Sequence, residues 1–476
     1  MLLLLLLACP AIIFADDIYE PCPPLPSPRS VPASLLASDP GVRAALAEVT
    51  ALWAASAAPL PTGLVGTIVF DQQTLWSGGF GTRNYTRSAP HAAVPPAPTD
   101  LVRIASITKV FTDVLLFKMR DAGLVGLDDT LDQHIPGGLQ FRKIGRTRGA
   151  VTLRNLASHL SGLPRETPYP CSFGGARCSE KDALDSMRGT LLPVLPPNRR
   201  FHYSNLGIAL LGRALAHAAA DPSTASYEEL MAKEVLVPLG MVNATFSVAA
   251  ALAGGGDRIA VGSGTDGSRL NFSETCVPAP GMVGSFNAPC GCLWASADDI
   301  AVLMKLFFRD DAPASAVEEG RGNRGDRGDM GDRGEGSDIE RDREGDIGSG
   351  SGSGRDRDRG GYGREGAANQ ILDGDTLAEL LRPSVLLRDG SSAVGTPWEM
   401  KYSTESQVWV KSKQGELPGY RSSVSVVEEL KLGVFTSALV SDVDEHSVWT
   451  IPGTCTYLSM NSVEEHCRSE DGDTKF

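Results

Sequence analysis

Ser106 and Lys109 stand three residues apart in the run Ile104-Ala105-Ser106-Ile107-Thr108-Lys109-Val110-Phe111. On a helix, positions i and i+3 share a face, so the lysine amine lies one turn from the serine hydroxyl. A serine hydroxyl is a poor nucleophile until a neighbouring base takes its proton. A lysine can be that base if burial depresses its pKa. Val110, Phe111, Val114, Leu115 and Met119 recur at helical spacing, which predicts a helix with a buried face that anchors the pair. Alone, the pattern is better read as a helix-capping serine beside a solvated lysine. Its weight comes from what accompanies it.

Two further groups follow at wide spacing. Tyr203 is the only tyrosine with an asparagine two residues later, in Phe201-His202-Tyr203-Ser204-Asn205-Leu206-Gly207. Lys413-Gln414-Gly415 falls on a predicted strand and runs into Glu416-Leu417-Pro418-Gly419. Lys143-Ile144-Gly145 and Lys431-Leu432-Gly433 have the same Lys-x-Gly form, so order and spacing must choose between them. Taken singly, Tyr203 reads as a buried tyrosine, Asn205 as a helix cap and Lys413 as a surface lysine. His159 reads as a structural hydrogen-bonder, and His202 has no predicted role. The seven histidines show no metal-ligand spacing, so neither a metal site nor a cofactor is expected. No Gly-x-Ser-x-Gly elbow is present, which disfavours a Ser-His-Asp triad on an α/β-hydrolase sheet.

The elements that must position these residues can be read in outline. Gly63–Phe70 reads as a buried strand, Asp71 to Gln73 as a turn and Thr74–Phe80 as a returning strand. The Ser106 helix ends near Gly123, and a capped helical turn starts at Leu127–Leu131. Helices are predicted over Leu153–Pro164, Leu206–Ala219 and Tyr227–Leu239, the first closed by Gly and Pro. Another starts at a Ser296-Ala297-Asp298-Asp299 cap and runs to Phe308, and a further one covers Ile371–Leu381. Ser406–Val410, Ser422–Val427 and Leu432–Leu439 read as strands. Strands near both ends and helices between them predict an α+β protein, an α/β sandwich. Its antiparallel sheet is built from both chain ends with flanking helices, and a mainly helical domain is inserted. No amphipathic helix follows Val440 to cover that sheet.

Composition narrows the classes. The chain has 476 residues, 42% of them apolar, and a net charge of −14. An acidic balance of this size argues against nucleic-acid binding. Leu2–Ala15 followed by Asp16-Asp17 has the length of a signal-peptide core, with cleavage expected after Ala15. If uncleaved, it would anchor the protein in a membrane facing the lumen; no other membrane span is expected. Sequons at Asn84, Asn243 and Asn271 fit a secreted, glycosylated protein. Loss of Cys9 with the leader leaves eight of nine cysteines, disulfide candidates in an oxidising compartment. Residues 16–60 form a Pro/Ala-rich leader with a short helix near Ala44–Ala55. Residues 310–367, dominated by Arg, Gly, Asp and Ser, read as a disordered insertion. Their Arg-Gly-Asp triplets read as a by-product of the biased repeat, and residues 456–476 as an acidic tail.

Ser-x-x-Lys, Tyr-x-Asn and Lys-x-Gly in this order resemble the serine β-lactamase and penicillin-binding-protein superfamily. The tyrosine motif points to its class C, DD-peptidase and esterase branch. Leu124–Asp129, Ala157–Pro164, Pro238–Met241 and Gly291–Ser296 are similar to that branch as well; the resemblance runs from about Gly63 to about Leu439 outside the insertion, within a domain expected at 61–455. With the leader, the sequons and the insertion, it points to a secreted animal β-lactamase-like protein.

The resemblance implies a serine hydrolase acting on an amide, peptide or ester, with a small molecule or peptide as partner. Ser106 would form the acyl-enzyme, Lys109 and Tyr203 would act as general base, and Tyr203 would protonate the leaving group. Asn205 would bond Lys109 or the substrate amide, and Lys413 would attract a substrate carboxylate. The backbone N–H groups of Ser106 and Glu416 would form the oxyanion hole, supported by the Gly415 turn. Gln414 and Glu416 depart from the pattern, one losing a hydroxyl and the other adding negative charge. They keep open the alternative of a non-catalytic binding or assembly protein on the same fold.

Overall fold

The computed structural model describes residues 38–439, except 58–62, 84–93, 140, 142–149, 169–170, 172–177, 189–192, 220–225, 248–258, 263–275, 277–284, 310–369 and 405–406. The expected leader cleavage site, the sequons at Asn84 and Asn271, the 310–367 insertion and the acidic tail lie outside the described residues.

An eight-stranded antiparallel sheet carries the architecture, in the order β2-β1-β10-β9-β8-β7-β6-β5. The N-terminal strands are β1 (Gly63–Phe70) and β2 (Gln73–Gly81); the C-terminal ones are β5 (Val385–Leu386), β6 (Ser392–Val394), β7 (Glu399–Ser403), β8 (Val408–Leu417), β9 (Tyr420–Val427) and β10 (Leu432–Ala438). Strand β1 pairs with β10, from Leu64 opposite Ala438 to Phe70 opposite Leu432. Both ends of the chain therefore share one sheet, as expected. Strands β5 to β7 were not foreseen; at two, three and five residues they show little alternation to read.

Strand β1 is apolar on both faces because the sheet is covered on both. Leu64 and Ile68 pack with Ala45, Val49, Trp53 and Ala57 of helix α1 (Pro40–Ala57). Val65 and Val69 face the larger core under the helical part. A Cβ at Gly66 would stand 2.8 Å from the Trp53 ring, so glycine here makes room for the indole. Helix α1 thus supplies cover on the face for which the sequence offered no closing helix.

The helical part lies between. A 3₁₀ turn (Ala105–Ile107) leads into α2 (Thr108–Asp121), followed by α3 (Leu131–His134), α4 (Leu153–Ala157), α5 (Glu180–Met187) and α6 (Asn205–Ala218). Helix α7 (Tyr227–Met231) passes through a π-helical turn into α8 (Val237–Leu239), and α9 (Ala288–Gly291) precedes α10 (Ala297–Phe307) and α11 (Gly374–Leu380). Strand β3 (Val102–Arg103) pairs with β4 (Trp294–Ala295) at the junction. Helix α2 is buried almost all round, not on one face as its spacing predicts. It is surrounded by α6, α7, α9 and α11, so Lys109, Thr112 and Asp113 end up inside. Helix α4 stops at Ala157, well short of the predicted Pro164. There the Ser158 hydroxyl donates to the Arg154 carbonyl at 2.7 Å, and His159 turns left-handed at φ 58°.

Candidate active site

Ser106 sits in the 3₁₀ turn at the base of a cleft of about 680 Å³. The preceding Ala105 has φ 49°, a conformation uncommon for alanine. The turn is pinned from behind: the Thr108 hydroxyl donates to the Ala105 carbonyl at 2.6 Å and accepts the Leu293 N–H at 3.2 Å. In front, β8 passes so closely that a Cβ at Gly415 would stand 2.2 Å from the Ile104 carbonyl and 3.1 Å from the Ser106 nitrogen. Glycine at 415 is what lets the strand lie against the nucleophile.

Lys109 is fully buried, and its ammonium donates to the Ser106 hydroxyl oxygen at 3.0 Å. It also donates to the Cys290 carbonyl of α9 at 2.5 Å. The helical pairing predicted from i,i+3 spacing is present. Next along α2, Thr112 donates to the Pro289 carbonyl at 2.7 Å, so α9 is held against α2 at two points. Asp113 lies one turn beyond Lys109, fully buried, with no hydrogen-bond partner to either carboxyl oxygen among the described residues. Burial pushes its pKa well above the usual carboxylate range despite the nearby Lys109 charge.

Tyr203 arrives from the loop before α6. It lines the cleft beside Ser106, with its phenol close enough to Lys109 and Ser106 for both to lower its pKa. The ammonium groups of Lys109 and Lys413 lie 5.0 and 4.9 Å from its ring centroid. Burial alone would raise its pKa, but these two cations outweigh it and bring the phenol below its ordinary value. His159 stacks beneath the ring, 4.4 Å between centroids. Its Nδ1 accepts the Ser204 N–H at 3.2 Å, which fixes it as a structural residue. Burial, then Lys109, Lys413 and Arg165, hold its pKa well below 6.5, so it stays neutral.

Asn205 reaches the cleft but departs from its expected bond. Lys109 bonds to Ser106 and Cys290, while the Asn205 amide donates to the Glu166 carboxylate at 2.7 Å. Nor is Asn205 the cap of α6: Ser204 accepts the Gly207 N–H at 2.9 Å, which leaves the Asn205 side chain free to face the cleft.

Lys413 is buried on β8 and donates to Glu399 at 2.7 Å. Burial pulls its pKa down, yet Tyr203 and Glu399 together leave it raised. The carboxylate partner expected from substrate is here a carboxylate of the protein. Glu416 forms an ion pair with Arg421, its cross-strand neighbour. Glu399, Arg421, Arg165 and Glu166 all line the cleft and were missed in the sequence. Arg421 had a signal, since the two-residue Pro418-Gly419 turn sets Glu416 opposite it.

Among the described residues two disulfides, Cys171–Cys178 and Cys276–Cys292, are formed, and Cys290 remains a buried thiol. Such bridges belong to an oxidising compartment. Burial raises the Cys290 thiol to about 12, so it is no competing nucleophile at neutral pH. Among the described residues no His, Cys, Asp and Glu cluster could hold a metal, and no helix is long and apolar enough to cross a membrane.

Ser106, with Lys109 on its hydroxyl, thus meets Tyr203 at one cleft of the fold. The chain belongs to the Beta-lactamase family, whose profile matches residues 57–438. It is 30% identical over 441 residues to Beta-lactamase-like protein 2 of Dictyostelium discoideum, covering 90% of this chain and 65% of that one. The chain thus spans just under two thirds of that relative's length. It is 35% identical over 171 residues to the D-alanyl-D-alanine-carboxypeptidase/endopeptidase AmpH of Escherichia coli K12, covering 35% of this chain and 42% of that one. The β-lactamase/D-alanine carboxypeptidase of Yersinia pestis, solved with citrate, superposes with a TM-score of 0.58 at 21% identity, over 91% of this chain and all of that one.

Proposed function

We propose that this protein is a serine hydrolase that cleaves an amide, peptide or ester through an acyl-enzyme on Ser106. The observation that carries this reading is the buried Lys109 ammonium 3.0 Å from the Ser106 hydroxyl oxygen, with Tyr203 in the same cleft and its ring centroid 5.0 Å from that ammonium. Tyr203, as phenolate, takes the Ser106 proton while Ser106 Oγ attacks the substrate carbonyl carbon. The oxyanion is received by the Ser106 and Glu416 N–H groups, and Tyr203 then returns the proton to the leaving amine or alcohol. Water repeats the sequence on the acyl-enzyme. Lys109 and Lys413 stabilise the phenolate throughout.

The β-sheet register supports an extended substrate. Strand β7 pairs with β8 only as far as Glu399 opposite Ser412. Leu417 and Tyr420 close the two-residue hairpin, so Glu416 and Gln414 fall at the alternate positions whose backbone groups point away from β9. Those groups are left to a ligand strand, which suits a peptide-like acyl chain. Secretion through the N-terminal leader, with glycosylation of the half-buried Asn243 and of Asn84 and Asn271, belongs to the same reading.

Intact-mass measurement after treatment with a fluorophosphonate tests it. One adduct per chain is expected, absent from Ser106→Ala. An unlabelled but folded protein would replace this reading with a binding or assembly role for the same cleft.

A further inference from the structure

The cleft is lined by three cations and three carboxylates among the described residues, and they are matched one to one. Lys413 is held by Glu399 at 2.7 Å, Arg421 by Glu416, and Arg165 stands 3.4 Å from Glu166. In the two pairs beside the Ser106 turn, the base is the hidden partner. The Lys413 side chain is 2% exposed against 43% for Glu399, and Arg421 is 9% exposed against 45% for Glu416. On the Lys413 side of the cleft an incoming ligand therefore meets carboxylates, with the positive charges behind them already engaged; in the third pair the cation is outermost, Arg165 being 65% exposed against 34% for Glu166.

We infer that the leaving-group portion of the substrate carries no free carboxylate: it is a neutral amide or ester, or bears an amine. A substrate carboxylate directed at Lys413 would have to displace Glu399 from its ion pair and stay close to Glu416. Like charges in a partly dry cleft repel without full screening. A neutral amide or ester meets neither cost. An ammonium would be attracted by the exposed Glu399 carboxylate. Glu399 and Glu416 are thus specificity-determining residues, acting by charge at the rim and not on the reacting atoms. This rests on the hydrolase reading for the location of the scissile bond, but its charge argument can be tested by binding alone.

The test uses benzylpenicillin and its methyl ester, which differ only at the carboxylate. Acylation rates of the full-length protein are followed by intact mass and normalised to each compound's hydroxide hydrolysis rate. Binding of the same pair to Ser106→Ala is measured by calorimetry, where no chemistry is needed. The ester is expected to be favoured by at least tenfold in both measurements. Glu399→Gln and Glu416→Gln should each narrow that ratio several-fold, whatever they do to the absolute rate. Equal engagement of acid and ester at any level, including none, or preference for the acid, overturns the inference. A ratio unchanged in both variants overturns the assignment to these glutamates. Failure of the hydrolase reading shows separately, as absence of fluorophosphonate labelling, while the Ser106→Ala binding ratio still decides the charge question.

Discussion

Gly415→Ala should cripple the site while leaving every catalytic side chain in place. A Cβ at 415 would stand 2.2 Å from the Ile104 carbonyl oxygen, where ordinary contact begins near 3.4 Å. The backbones of β8 and the Ser106 turn must therefore part by about 1.2 Å, a gap no side-chain rotation can supply. Both expected oxyanion donors ride on those two segments, Ser106 on the turn and Glu416 one residue after the glycine. Loss of one such donor costs about 3 kcal/mol, and a misplacement of about 1 Å costs on the order of a hundredfold. The expected fall in fluorophosphonate labelling rate is thus about 10²- to 10³-fold. Thermal unfolding followed in parallel separates this from loss of fold, because the new methyl lies near the hairpin end of β8, beyond its last pair with β7. A folded Gly415→Ala protein labelled within threefold of the parent rate would refute the argument that the β8 approach forms the oxyanion site.

Other consequences follow from charge and packing. Tyr203→Phe should remove the rise in labelling rate that the parent shows as pH climbs toward the lowered phenol pKa; burial opposes that lowering, and Lys109 and Lys413 cause it. A pH–rate profile identical in both proteins would exclude Tyr203 as the base. Asp113 is buried without hydrogen-bond partners among the described residues and has a raised pKa, so its folded form holds a proton that the unfolded chain releases above about pH 3.9. Stability of the parent should therefore fall as pH rises above that point, and Asp113→Asn should not share the fall. Melting temperatures at pH 4 and pH 7 check it, with the variant gaining on the parent at pH 7. Trp53→Ala should cost about 3–5 kcal/mol, since the indole is fully buried over Gly66 and packs against Trp76 at 5.0 Å. Denaturant unfolding reads that loss, and a cost under about 1 kcal/mol would mean α1 is not an integral cover of the sheet.

What could be read in the sequence depended on how far apart interacting residues lie along the chain. Ser106 and Lys109 were legible because helix geometry alone brings them together, and the structure joins them at 3.0 Å. Tyr203 and Lys413 needed family order, since nothing local says that a loop before α6 and a strand near the C-terminus meet at one cleft. The helix predicted to Pro164 failed for a local reason of another kind. Apolar spacing continued past Ala157, but Ser158 turned its hydroxyl on the backbone and His159 left the helix to lie under Tyr203. Glu399 was hidden most deeply. It stands beside Lys413 only because β7 pairs with β8 in the register Glu399 opposite Ser412, and β7 has five residues with a weak pattern. A rim of exposed carboxylates over buried bases is a property of that register. The motif Lys-x-Gly predicts a cation waiting for substrate; the neighbouring strand decides whether that cation is still available.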